Sequence, residues 1–167
     1  IFKPEYRGFI FQFTDTFGRL WYSYTPTEKG SYLGDEDPKY GLLTKEGDDH
    51  IYLVDKSSQQ TVKVAEPGTT KQREVKDVVG VWHSHGGLTK DPVFGTADDK
   101  YMEKMWANAK TKKLHFWLYT GLAILHKAAD GQSEVAQLTR SEDGTYHYRI
   151  RSGAIEPRPR PDIRVID

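Results

Sequence analysis

Segments 9–14 (FIFQFT) and 19–25 (RLWYSYT) are aromatic runs on either side of the link Asp15-Thr16-Phe17-Gly18. Alternation at period two gives a strand one apolar face, and a short turn-forming link lets the chain reverse, so this pair predicts a β-hairpin. The same texture returns at 114–120 (LHFWLYT), 122–128 (LAILHKA), 133–138 (SEVAQL) and 145–151 (TYHYRIR), separated by turns at Gly121, Asp130-Gly131 and Asp143-Gly144. These segments predict a meander. The clearest helical spacing is at 98–110, where Tyr101, Met102, Met105 and Trp106 recur at intervals of one, three and four beside Ala107 and Ala109, with no Gly or Pro. The fold class expected is α/β of the α+β kind: a mixed, mainly antiparallel β-sheet with one clear helix.

The remaining segments carry weaker signals. Residues 77–83 (DVVGVWH) form a near-continuous apolar run that predicts a buried strand. TVKV (61–64) reads as a short strand followed by a connecting turn at 65–74, and the Gly-, Pro- and charge-rich stretch 26–49 as one long loop. Its acidic part, 34–41, lacks the spacing of an EF-hand. The last twelve residues, EPRPRPDIRVID, have no hydrophobic period and predict an extended arm, so the expected division is one domain over 1–151 and a Pro/Arg-rich extension over 152–167.

Composition narrows the function classes. The 167 residues suit a single domain, and 37% apolar content with 13% aromatic points to a strand-built, aromatic core. With 24 basic against 24 acidic residues no global field favours nucleic acid or an anionic membrane. The absence of cysteine excludes disulfides, thiolate metal sites, a cysteine nucleophile and the zinc-deaminase signature. No run approaches the roughly 18 apolar residues of a membrane span, and a chain opening IFKPEYRG without Met is expected to be a soluble piece of a longer protein.

Chemistry concentrates at 81–99, VWHSHGGLTKDPVFGTADD. On a strand, residues i and i+2 share a face, so His83 and His85 can present two imidazoles to one point while Ser84 faces away. A carboxylate supplied by the following helix would complete three protein ligands for zinc and leave a fourth position open, the arrangement of catalytic rather than structural zinc. A water polarised there becomes a usable nucleophile near neutral pH, provided a nearby base takes its proton. An isolated His-x-His arises often by chance, and the weight here comes from its context. His50, His115, His126 and His147 sit in segments where a structural role is expected, and Trp82 should face away from His83 and pack the core.

GVWHSHG followed by a loop, FGTAD and a helix resembles the JAMM (MPN-type) metalloprotease motif, and PEYRGFIFQF resembles the glutamate-bearing strand of that family. The order EYRGFIFQ, WYSYTPTEKG, VWHSHG, FGTAD is most similar to the JAB-like domains at the C-termini of bacterial Rhs and other polymorphic toxins, over roughly residues 5 to 128. The resemblance implies a sheet of the JAMM and cytidine-deaminase type, zinc held by His83, His85 and Asp98, and Glu5 as general base. The serine that supports the oxyanion in that family aligns with Gly95 if Asp98 is the ligand. It aligns with Thr96, which keeps a hydroxyl, if the ligand is Asp99. Spacing from Phe94 and to Tyr101 favours Asp98; the hydroxyl favours Asp99.

The function implied is a zinc-dependent hydrolase (peptidase or isopeptidase) acting on a protein or peptide substrate. It would be the toxic effector end of a larger secreted bacterial protein, with a cognate immunity protein as partner. Two alternatives stand beside it: a catalytically inactive MPN-like binding module, and a metal-dependent nuclease toxin, which the neutral charge disfavours.

Overall fold

The computed structural model describes residues 5–30, 38–85, 94–119, 124–129, 133–140, 146–149 and 162–166, with 133–140 and 146–149 as backbone. The expected hairpin forms from β1 (Glu5–Thr14) and β2 (Leu20–Tyr24), antiparallel with Phe13 opposite Trp21 and Gln12 opposite Tyr22. Its turn is closed by the side chain of Asp15, which accepts N–H bonds from Phe17 and Arg19 at 2.9 Å and from the Trp21 indole at 2.8 Å. Gly18 takes a positive φ of 77°, which a β-carbon would disfavour.

Where one long loop was expected there are two strands. β3 (Glu28–Gly30) pairs with the start of β1, and β4 (Tyr40–Thr44) pairs with β5 (Ile51–Asp55). Neither has a local period to announce it. The EKG sequence of β3 is held by backbone pairing to its neighbour, and β4 gains its order from packing Tyr40 and Gly41 against the interior beside a partner buried over its first four residues. β6 (Lys63–Ala65) and β7 (Gln72–Glu74) form a second hairpin where a strand and a turn were expected.

β8 (Val78–Ser84) is the hub. It runs antiparallel to β1 on one side and parallel to β9 (His115–Tyr119) on the other, the latter being the sole parallel pair among the described strands. Parallel neighbours cannot be joined by a tight turn. The connection includes α1 (Thr96–Ala107), the single helix among the described residues, so the helix start follows the carboxyl end of β8. β10 (Ile124–Lys127), β11 (Ser133–Arg140) and β12 (Tyr146–Arg149) continue from β9 as the expected antiparallel meander. The eight-stranded sheet has the order β12-β11-β10-β9-β8-β1-β2, with β3 also on β1. The architecture is a mixed α/β one with mostly antiparallel sheets.

α1 lies against the sheet face bearing Phe116 and Leu118. Met102 is buried, Met105 and Trp106 pack against the core, and the Trp106 indole donates to the Leu114 carbonyl at 3.0 Å. Tyr101, expected on the same stripe, is half-exposed and touches the core through its edge-on contact with Phe116. Phe11, Ile51, Leu53, Leu114 and Leu118 are fully buried, each contributing about 1.5–3 kcal/mol of transfer free energy.

On the other face, a β-carbon at Gly80 would lie 2.0 Å from the Trp117 ring and one at Gly8 2.5 Å from the Trp82 indole. These two glycines let the tryptophans lie flat across neighbouring strands. Trp82 does face away from His83, but it is half-buried on this second face rather than part of the core beneath α1. At the chain end the extended-arm expectation also changes: Ile163 is fully buried, its carbonyl accepts the Ser23 hydroxyl at 2.6 Å, and β13 (Val165–Ile166) pairs with β6. One isoleucine in a Pro- and Arg-rich tail has no period to reveal it; the core supplies its site. The boundary placed at 151–152 lies outside the described residues.

Candidate metal centre

The last residues of β8 alternate as the sequence predicts. Ser84 points to the second face, is buried, and accepts the Tyr6 N–H at 3.0 Å, tying the start of β1 to the end of β8. His85 is one residue beyond the strand, yet its N–H still bonds the Tyr119 carbonyl at 3.3 Å, so the extended course continues. His83 and His85 therefore share the α1 face, with ring centroids 5.1 Å apart, and Phe94 packs beside His83 at 5.9 Å.

α1 brings the carboxylate. Asp98 is the third residue of the helix, and its Oδ2 accepts the N–H of the N-cap residue Gly95 at 2.9 Å. This closes the first turn and places a negative charge at the positive end of the helix dipole. The same oxygen lies 3.2 Å from His83 Nε2 and 3.1 Å from His85 Nε2. Burial would raise the Asp98 pKa, but the His83 imidazole, the Gly95 N–H and His85 outweigh it and hold the carboxyl well below the usual carboxylate range. Asp98 is therefore ionised across the neutral range.

Three potential ligand atoms, two imidazole nitrogens and one carboxylate oxygen, all lie within 4.8 Å of one another, so this group can hold a metal ion. A tetrahedral cation with bonds of about 2.0–2.1 Å sets donor separations of roughly 3.3 Å, close to the 3.2 and 3.1 Å between Asp98 Oδ2 and the two imidazole nitrogens. His83 Nε2 is also buried from solvent and makes no well-directed hydrogen bond among the described residues. A buried imidazole nitrogen in that state suits a lone pair aimed at a cation. The three side chains keep between 16% and 27% exposure, so the group is open in part to solvent.

The two aspartates left open by the sequence separate cleanly in space. Asp98 joins the histidines, whereas Asp99 turns to Lys127 on β10, 3.3 Å away, and Lys127 also lies over the Phe94 ring. With Asp98 in the cluster, the position of the expected serine falls on Gly95, which offers a backbone N–H and no hydroxyl. Thr96 is exposed at the first helical position, outside the cluster. Glu5 is exposed on the first residue of β1. Arg7 pairs with His83 across β1 and β8, so Glu5, two residues earlier, lies on the same face one step beyond, toward His85. Gly86 and Gly87 lie outside the described residues.

The other histidines have company of their own. His50 Nδ1 lies 3.1 Å from Asp77 at a half-exposed position. His115 and His126 stack at 5.0 Å with Nδ1 and Nε2 2.7 Å apart, beside Trp117 on the second face. That pairing joins neighbouring strands, which a search along one strand does not detect; His147 lies on β12, described as backbone only. Arg7 and Lys127 were also missed at the site. Arg7 carried a readable signal, since it follows Glu5 by two on one strand.

Against family models, curated proteins and solved structures, the chain matches nothing.

Proposed function

We propose that this domain is a zinc-dependent hydrolase of peptide or isopeptide bonds, of the JAMM type that its motifs resemble. The observation carrying the reading is the single Asp98 oxygen standing 3.1–3.2 Å from both Nε2 atoms, with exposure left for a fourth ligand. Zinc fits a donor set of two imidazoles and one carboxylate without thiolates, and when bound it would supply Lewis acidity and lower the pKa of a water. The chain's own groups do the rest. His83, His85 and Asp98 hold and orient the ion, and the Gly95 N–H fixes the carboxylate. Glu5, on the same sheet face, takes the proton of the attacking water and returns it to the leaving amine. The products are a carboxylic acid and an amine.

The JAMM-type sheet, the role of toxic effector, delivery as part of a larger secreted bacterial protein and a cognate immunity protein as partner belong to the same proposal and are supported by the sequence resemblance. The competing reading is a binding module of the same scaffold without activity, favoured by the glycine at the serine position. Purified protein is expected to carry about one zinc per chain, lost in His83→Ala. Expression in a bacterial host should be toxic for wild type and harmless for Glu5→Ala and His85→Ala. A folded protein that takes up no metal sinks the hydrolase, and zinc-loaded protein equally harmless in all three forms selects the binding module.

A further inference from the structure

Resting on the metal-hydrolase reading, we propose that Arg7 is the catalytic cation that receives negative charge on the substrate, in place of the absent hydroxyl. The α1 face of the sheet carries a row of residues in register: Glu28 on β3, Arg7 on β1, His83 on β8 and Leu118 on β9. Directly opposed residues on antiparallel strands have β-carbons about 4.5–5.5 Å apart, so Arg7 is the immediate lateral neighbour of a proposed ligand. From that position a side chain as long as arginine's can reach a substrate held at the His83, His85 and Asp98 group.

Its position is set from behind. Arg7 Nε lies 3.8 Å from Glu28 Oε2, and the other Glu28 oxygen is fixed by the Lys39 N–H at 2.6 Å. The Glu28 side chain is 14% exposed and that of Arg7 34% exposed, so the anchor is the more sheltered of the pair. A guanidinium has five N–H donors in a fixed fork, matched to a pair of anionic oxygens.

The chemistry calls for such a group. When the oxygen of water adds to the amide carbonyl carbon, its proton passes to Glu5 and the carbonyl π pair moves to oxygen. That oxygen carries the developing charge, and the charge needs a preorganised donor. On collapse the C–N bond pair leaves with nitrogen, which takes the proton back from Glu5. Gly95 and Thr96 leave this requirement unmet by a hydroxyl in the cluster; Arg7 meets it with a full positive charge.

Cobalt-loaded protein titrated with inorganic phosphate, a tetrahedral oxyanion, tests the assignment through the visible spectrum of the metal. Wild type should bind phosphate at least about tenfold more tightly than Arg7→Gln, a usual loss for one charge-assisted contact. Cobalt affinity should stay within about threefold, Arg7→Lys should recover part of the difference, and Glu28→Gln should fall between. Equal phosphate binding in wild type and Arg7→Gln, or no phosphate binding by cobalt-loaded wild type, overturns the role of Arg7 while leaving the metal centre standing. Absence of cobalt binding by wild type, or unchanged cobalt binding in His85→Ala, overturns the metal reading and this assignment with it. If Arg7→Gln does not fold, Arg7→Lys decides: a phosphate affinity equal to wild type with unchanged cobalt affinity requires only a cation, and a loss of both affinities in parallel marks Arg7 as structural and overturns the proposal.

Discussion

Asp15 and Asp98 are both carboxylates that gather several donors, and they do opposite things. Asp15 is buried in the β1–β2 turn and accepts from the backbone N–H groups of Phe17 and Arg19, the Arg19 guanidinium and the Trp21 indole. Every donor comes from within six residues and can only donate. Asp98 accepts one backbone N–H and faces two imidazoles from a strand thirteen or more residues away in sequence. An imidazole nitrogen is a donor or a lone pair according to its tautomer. A carboxylate ringed by obligate donors is a knot; one facing imidazoles is a seat that a cation can take.

Substitution should separate them. Asp98→Asn is expected to weaken zinc binding by at least about 10²-fold in a competitive chelator titration, since even outer-sphere partners of metal ligands are worth 10–100-fold. Asp15→Asn should leave zinc affinity unchanged. An Asp98→Asn protein with wild-type zinc affinity would break the contrast at its centre.

Zinc at 100 times its dissociation constant should stabilise wild type by about 2.7 kcal/mol, raising the melting temperature by several degrees. In His85→Ala the shift should vanish, and in Asp15→Asn it should persist on a lower baseline. Removing the Asp15 charge should lower the melting temperature of the apo protein by roughly 5 °C, because four donors lose their anion at once.

Acid sharpens the comparison further. The Trp21 and Arg19 hydrogen bonds, with that from Phe17, overcome burial and lower the Asp15 carboxyl to a pKa of about 2, against 3.8 unperturbed. A depressed carboxylate contributes stability that is complete above its unfolded value and lost as pH falls through the folded one. Apo wild type should therefore lose the Asp15 contribution progressively from about pH 4 down to about pH 2, and Asp15→Asn should lack that component of the acid limb in thermal melts. Glu66, lowered mainly by hydrogen bonds from Thr16, adds a component of the same sign.

The smallest effect belongs to Asp99, whose ion pair with Lys127 is largely open to solvent. Asp99→Asn should cost no more than about 0.5 kcal/mol and change zinc affinity less than about threefold, measured by denaturant unfolding and the same chelator titration. A large loss of zinc affinity there would reassign the third ligand.

Much of the fold was legible because period and punctuation are local. The aromatic alternation of the hairpin, the apolar run of β8, the uninterrupted helix and the Gly-marked meander each announce themselves within about a dozen residues. β3, β4 and Ile163 do not, since what orders them is a partner strand or a core cavity supplied from far along the chain. The site divides the same way. His83 and His85 follow from strand alternation alone. Asp98 and Asp99 are adjacent and chemically identical, and nothing local ranks them; a helix turns about 100° per residue, so only its docking on the sheet decides which carboxylate meets the histidines.

The sequence by itself determined the kinds of elements and the pair of imidazoles on one strand face, because both depend on backbone periodicity. The tertiary structure decided the third member of the cluster, by directing Asp98 to His83 and His85 and Asp99 to Lys127. It also set Arg7 beside His83, with Glu28 behind it. Those choices depend on strand order and helix docking, which are set by burial of Met102, Phe116 and Leu118 in a shared core rather than by any pattern within the site.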